Sequence, residues 1–594
     1  MMQLFASASS IAIPHVAYSA ILPELILMGG ALVLLAVSAL VGRRLPIRLF
    51  GAASALISLA SLGASLWLWH VTSQRGGPGT AIDHAVVVDG FSVFVLVLVS
   101  CAMFLSSLAG TAFLEREGAE GPDYFVLALL SASGAMFMGE ANDLIMVFLG
   151  LEILSIALYV LAGSDARRSG SGEAAMKYFI LGAFSSAVFL YGIALTYGAT
   201  GSTNLIQIAD YLSRNVVTSN GVLLAGIGLL VVGFGFKVAA VPFHMWTPDV
   251  YQGSPTPVTG FMAAVAKAGA FAALLRVLVS SFGVLRSDWQ PLIWVLAVLT
   301  LIVGAFLALM QRDVKRMLAY SSINHAGFVL LGVQAASRRG VSGALYYLFA
   351  YTFLVVGSFA VVTAVGGKGD TRHDLGNYRG LARRSPLLAL GFAILLLAQA
   401  GAPFTTGFLA KLSVVSASVE AHSYALAVIA MVSAVAAAFF YLRVVVLMYA
   451  GSLAGLPAAK DMPETGYGLL PVQTGHVDVA AEPDGGALAQ DLAGGLPSAE
   501  GASAVPIATA THAAMVGAPD PAGEVGDPEA PAPADAVVVP MAIRVVVAPA
   551  SWSLCRSPSP SSSASTRARW STSHGTRPCS SADRTLQLIT LLIG

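Results

Sequence analysis

The stretch GFGFKVAAVPFHMWTPDVYQGSPTPVTGFMAAVAKAGA, Gly233–Ala270, decides how the chain folds. It carries two lysines, Lys237 and Lys267, inside apolar text, with Pro242 and a Thr-Pro-Asp turn between them. An apolar run, a helix breaker and a second apolar run read as two membrane spans, the first interrupted near its end. A break of this kind frees backbone groups, which a membrane tolerates only where the break is buried in protein or lines a hydrated cavity.

The rest of the 594-residue chain agrees with that reading. It is 56% hydrophobic and only 11% charged, with a mean hydropathy of +0.78, whereas soluble domains carry about 25% charged residues. A span needs roughly 20 apolar residues. Such runs are predicted at 20–41, 49–69, 90–113, 123–140, 143–163, 175–198, 221–243, 257–282, 290–310, 316–335, 343–366, 386–416 and 424–450. The expected fold class is therefore all-α and polytopic. The stretch from Met1 to Ser19 has no basic leader, and the first span is read as retained. Alternate loops hold fourteen against five Lys and Arg residues, the rich set including Arg43, Arg167, Arg168, Arg312 and Arg372. The positive-inside rule then puts the N-terminus outside.

Residues 452–536 are rich in Ala, Gly, Pro and acid without any sustained period, and read as a disordered cytoplasmic insertion. The segment 537–594 starts like a fourteenth span and turns into Ser/Pro/Arg text from Ser557. A shifted reading frame there is compatible with an apolar span, so a frameshifted last helix is expected, and the gene sequence decides it.

The three cysteines, Cys101, Cys555 and Cys579, have no metal or redox spacing. No phosphate loop, dinucleotide fingerprint or haem motif occurs. With zero formal net charge, no nucleic-acid partner is implied. Ionisable groups inside the spans carry what chemistry there is, because such groups are costly in a bilayer and usually functional. They are Glu152 in VFLGLEILSIALYVLAG, Lys177 near the start of the sixth span, Lys237, Lys267, His325 in LAYSSINHAGFVLLG, and Lys411 after QAGAPFTTGFLAK. Each has a structural reading: a snorkelling Lys177, a packing His325, a static Glu152–Lys237 pair, a Lys411 that props the broken helix beside it. The functional reading is a water-linked proton relay. Burial and an approaching carboxylate act oppositely on a lysine's proton, so Lys237 can hold or release one as Glu152 approaches or leaves. Breakers at Pro242 and Pro403, in matching places of two halves, point to inverted repeats with the working site near the midplane.

FKVAAVPFHMWTPDVYQGSPTPVTGFM, QRDVKRMLAYSSINHAGF and GAPFTTGFLAK together resemble the antiporter-like, proton-conducting membrane subunits of respiratory complex I. The likeness runs from about Pro23 to Tyr449, and AMKYFILGAFSSAVFLYGIAL and DLGNYRGLARRSPLLAL resemble the N-type branch. The resemblance implies fourteen helices. Helices 1–3 lie in 1–122, and two inverted five-helix repeats lie in 123–282 and 290–450, with helices 7 and 12 broken. It implies a proton relay of Glu152, Lys177, Lys237, Lys267, His325 and Lys411. It implies no cofactor in this chain, with NAD, FMN, iron–sulfur clusters and quinone bound by other subunits. Its partners would be antiporter-like and small K/J/A-type membrane subunits in a bacterial plasma membrane. The alternative is a subunit of a multisubunit cation/proton antiporter or of another donor-linked membrane complex. A structural scaffold with fossil charges is the third reading.

Overall fold

The computed structural model describes residues 16–41, 45–75, 79–215 and 221–450. The 452–536 insertion and the 537–594 tail, with the expected fourteenth helix, lie outside these residues. The helices in chain order are α1 (Leu22–Val41), α2 (Ile47–Arg75), α3 (Gly90–Glu117), α4 (Asp123–Glu140), α5 (Leu144–Ala162), α6 (Ser169–Thr200), α7 (Leu205–Arg214), α8 (Gly221–Val238) and α9 (Trp246–Gly253). They continue with α10 (Thr256–Phe261), α11 (Lys267–Leu275), α12 (Arg286–Leu309), α13 (Val314–Ala335), α14 (Arg338–Gly366), α15 (Leu381–Arg384), α16 (Pro386–Ala400), α17 (Thr406–Glu420) and α18 (Tyr424–Tyr449). A short antiparallel ribbon, β1 (Gly79–Ala81) with β2 (Val86–Val88), is the only sheet among the described residues. All thirteen predicted spans are helical, and among the described residues ten helical stretches are long and apolar enough to cross a membrane. The chain is thus an all-helical polytopic membrane protein. The amphipathic α7 was not foreseen as a helix.

Small residues set how closely the helices approach, as expected where lipid offers no hydrophobic drive for association. Gly134 of α4 faces α5: a Cβ there would lie 2.5 Å from the Leu154 nitrogen and 2.7 Å from the Gly150 oxygen. That contact fixes the height of α5 and hence of Glu152 and Ser155. Gly192 and Gly226 do the same for α6 and α8. Gly134→Val is expected to destabilise the protein by about 1–3 kcal/mol through overpacking, read as a lower thermal midpoint in detergent.

Both predicted breaks are present, and each has its freed backbone groups satisfied. After α8, Ala240 donates to the Gly235 carbonyl at 2.8 Å. The Val241 amide donates to Thr300 Oγ1 at 2.9 Å, and the Trp246 indole donates to the Phe236 carbonyl at 3.0 Å. After α16, Gly401 takes the left-handed conformation (φ 91°) that favours glycine. Ala402 closes back on Leu397 at 3.0 Å, and Thr405 caps α17 by accepting from the Phe408 amide. The eighth span carries a π-helical turn, Met262–Ala266, immediately before Lys267. Such turns insert one extra residue per turn and often mark functional positions.

Candidate proton-relay site

The row begins at the end bearing the Arg-rich loops, in a cavity of about 360 Å³ lined by Arg168, Glu173, Lys177, Asp249, Gln252 and Arg316 among others. Lys177 lies at this rim rather than beside the deeper lysine. Its Nζ pairs with Glu173 at 2.7 Å and Asp249 at 2.8 Å, and its side chain is 42% exposed. Arg316 holds the other Asp249 oxygen at 2.7 Å. Partial burial alone would raise the Asp249 carboxyl, but hydrogen bonds and charge from Lys177 and Arg316 outweigh it and hold the group below the usual carboxylate range.

Lys237, at the C-terminal end of α8, is buried. Its ammonium donates to Ser155 Oγ at 2.8 Å and to Tyr178 OH at 3.1 Å. It forms no ion pair with Glu152, whose Oε1 is buried without a hydrogen-bond partner. The static-pair reading therefore does not hold, and Glu152 acts on Lys237 only through space. Beside them lies a cavity of about 10 Å³ lined by Ser155, Tyr159, Ser185, Ser186 and Lys237 among others, at the lower limit for one water molecule.

An aromatic wall follows. Tyr178 stacks on Trp246 with ring centroids 4.5 Å apart and 9° between planes. Trp246 meets Tyr251 edge-on at 6.2 Å, and Tyr251 lies beside Ser322. Lys267, also buried, donates to the Ser322 carbonyl and sits 5.8 Å from the Tyr351 ring centroid. Tyr351 OH donates to Ser322 Oγ at 2.7 Å, and its ring lies 5.0 Å from that of His325.

His325 is clamped between two phenols, Tyr347 at 2.7 Å on Nδ1 and Tyr441 at 2.9 Å on Nε2. Tyr441 OH also meets Ser321 Oγ and lies 3.3 Å from Gln399 Oε1. A neutral imidazole here donates from one ring nitrogen and accepts at the other, so it can bridge the two phenols. Lys411 and Lys267 are the charges that bear on this ring. Gln399 directly precedes Ala400, whose carbonyl ends α16 and accepts from Lys411 Nζ at 2.7 Å. A lysine at a helix C-terminus is favoured by the helix dipole, so Lys411 does prop the broken helix, as well as standing at the end of the row. It also lies 5.1 Å from the Phe328 ring centroid.

The structure thus brings Lys237, Lys267, His325 and Lys411 into one buried row, with the half-buried Glu152 near Lys237 and Lys177 at the mouth. Sequence reasoning missed the groups that hold the row. Ser155, Tyr178, Ser322, Tyr351, Tyr441 and Gln399 are ordinary residues of apolar spans and give no local signal. It also missed two buried glutamates, Glu24 and Glu140, each close to a predicted span end.

The family model described as NADH:quinone oxidoreductase/Mrp antiporter, TM, matches residues 141–437. NADH-quinone oxidoreductase subunit N of Trichlorobacter lovleyi is 42% identical over 429 residues, covering 72% of this chain and 87% of that one. Among solved structures, a chain of respiratory complex I from Thermus thermophilus with bound aureothin is 34% identical, with a TM-score of 0.61 over 72% of this chain and 90% of that one. A chain of the membrane-bound sulfane sulfur reductase, an archaeal respiratory membrane complex, is 26% identical with a TM-score of 0.65, covering 72% of this chain and 88% of that one. With this helix order, these two breaks and this degree of identity over most of both chains, the protein belongs to the NADH-quinone oxidoreductase subunit N family.

Proposed function

We propose that Glu152, Lys237, Lys267, His325 and Lys411 form the relay by which this proton-translocating membrane-arm subunit of NADH-quinone oxidoreductase moves protons, with Lys177 and Asp249 at its mouth. One observation carries the reading. Lys237, Lys267 and Lys411 are buried, and each ammonium is held by neutral oxygens alone: a serine and a tyrosine, a backbone carbonyl, a helix-end carbonyl. The structural cations differ: Lys315 and Arg276 face Asp370 and Asp89. No counter-charge fixes a proton on the relay lysines, so each can pass it on without breaking an ion pair.

The driving reaction, oxidation of NADH and reduction of quinone, occurs in other subunits, to which NAD, FMN, the iron–sulfur clusters and quinone are assigned. Coupling reaches this chain as a change of charge or position at its neighbours in the membrane arm. A charge arriving near Glu152 shifts the balance at Lys237, and the shift passes along the row through Lys267 and His325 to Lys411. The Arg-rich loops support a cytoplasmic mouth and an outer N-terminus in a bacterial membrane. The two halves, 123–282 and 290–450, support an inverted-repeat arrangement in which each half supplies one broken helix.

His325→Phe tests the relay, because phenylalanine keeps the ring against Tyr351 and removes both nitrogens. In proteoliposomes holding the whole complex, proton pumping per unit time is expected to fall about threefold, about 0.65 kcal/mol on the barrier. NADH oxidation by an artificial acceptor should stay unchanged. The loss is modest because Tyr347 and Tyr441 remain and water can span part of the gap. Pumping equal to the unaltered complex would favour the scaffold reading.

A further inference from the structure

At the end of the bundle away from the Arg-rich loops, Glu24 of α1 and Glu140 of α4 come together. Both are fully buried, and their carboxyl groups adjoin. Ile21 and Phe137, one turn before each, belong to one small apolar cluster that closes the site. None of the four oxygens accepts a hydrogen bond from another group of the chain. The nearest cation, Arg276, is already committed. It grips Asp89 through two contacts of 2.9 Å and donates to the Gly139 carbonyl at 3.1 Å, and its guanidinium lies 4.7 Å from the Phe91 ring centroid. Asp89 in turn caps α3 by accepting from the Ser92 amide at 2.7 Å.

From these contacts we infer that Glu24 and Glu140 share one proton and serve as a further station for the translocated proton on the side opposite the cavity at Lys177 and Asp249. The charged groups that bear on the pair are Arg276 and Asp89, which neutralise each other. Two buried carboxylates in contact, with no free counter-ion, cannot both stay ionised. One O–H bond is therefore present in the resting pair. A second proton arriving on the remaining oxygens makes the pair neutral, and its release restores the shared state.

The position suits that role. Helix α11 packs against α4 where Gly269 meets Ala135, a Cβ there falling 2.9 Å from the Ala135 Cα. Glu140 follows Ala135 by five residues, about 8 Å of helix, and Arg276 follows Lys267 by nine, about 13 Å. Glu140 thus ends a helix that packs directly against α11, the helix of Lys267, and lies toward the same end as Arg276. The inference rests on the relay reading for the source of its proton, but not for the sharing itself.

Infrared difference spectroscopy of the intact complex in proteoliposomes tests both parts. A protonated-carboxyl band, sensitive to deuterium exchange and responsive to NADH, is expected in the unaltered complex. It should be lost in E140Q and in E24Q, with pumping reduced about twofold. Each single variant leaves an amide to donate to the remaining carboxylate, so assembly and thermal midpoint should be unchanged or raised. A band that persists in both variants, or that never responds to NADH, overturns the inference, as does unaltered pumping in the double variant E24Q/E140Q. Lys267→Ala separates the two readings. If that variant pumps normally while E140Q still loses the band, the relay fails and the shared proton stands.

Discussion

Replacing Lys237 by Met is expected to slow NADH-driven proton pumping by roughly tenfold, about 1.4 kcal/mol on the barrier, while leaving the assembled complex as stable as before. Both halves of the expectation follow from the same contacts. Lys237 is held by Ser155 and Tyr178 and by no carboxylate, so its removal orphans no charge. Ser155 keeps its bond to the Leu151 carbonyl at 2.5 Å, and only the Tyr178 hydroxyl, a neutral group, gives up a donor. Methionine fills much of the volume with a flexible apolar chain. What disappears is the one group near Glu152 that can carry a proton to the aromatic wall. Pumping is read in proteoliposomes, stability by thermal unfolding of the purified complex. A variant that pumps at the normal rate removes Lys237 from the path.

Asp370→Asn should do the reverse. Asp370 is buried in the loop after α14 and joins three helix starts. It accepts from Arg168 at the head of α6 at 3.1 Å and from the Thr256 amide and hydroxyl at the head of α10 at 3.0 and 2.7 Å, and it faces Lys315 of α13 at 3.5 Å. Removing one partner of a buried pair costs about 3–5 kcal/mol, because the other charge is left uncompensated; here that charge is Lys315, fully buried. A clear fall in thermal midpoint is expected. The pH dependence has a definite sign. Burial alone would raise the Asp370 carboxyl, but Lys315, His373 and Thr256 outweigh it and hold the group far below the usual carboxylate range. A depressed folded value contributes stability that is fully present above the ordinary carboxylate value and lost only as pH falls through the folded one. The gap between the unaltered protein and the variant should therefore stay constant over roughly pH 5–8 and close only in stronger acid. A gap that shrinks already near neutrality would mean that Asp370 is not the anchor described.

The sequence allowed the spans, both breaks and the buried Lys237, Lys267, His325 and Lys411 to be read, because each is a local signal. A run of apolar residues, a proline inside it and a lysine beside the proline declare themselves within a dozen positions. The partners are not local. Ser155 and Lys237 are 82 residues apart, and Tyr441 and His325 are 116 apart. Hydroxyls are so common in membrane helices that nothing marks which of them will face a charge. Lys177 was placed on the right helix, but its pairing with Asp249 depends on how the break after α8 redirects α9, which no pattern in the sixth span reveals. Glu140 was taken as a helix end, and Glu24 lies one turn into the first span. Their meeting depends on how α1 crosses α4.

The stack of Tyr178 on Trp246 has a consequence of its own. The only polar group of an indole is a donor, and that of Trp246 is already spent on the Phe236 carbonyl. The ring can therefore neither accept nor forward a proton, yet it stands between Lys237 and the groups around Lys267. An energised membrane pushes protons back through any continuous conductor. For the relay proposed above, this stack is an insulating plate: charge on one side is felt on the other, while the plate itself offers no path for a returning proton.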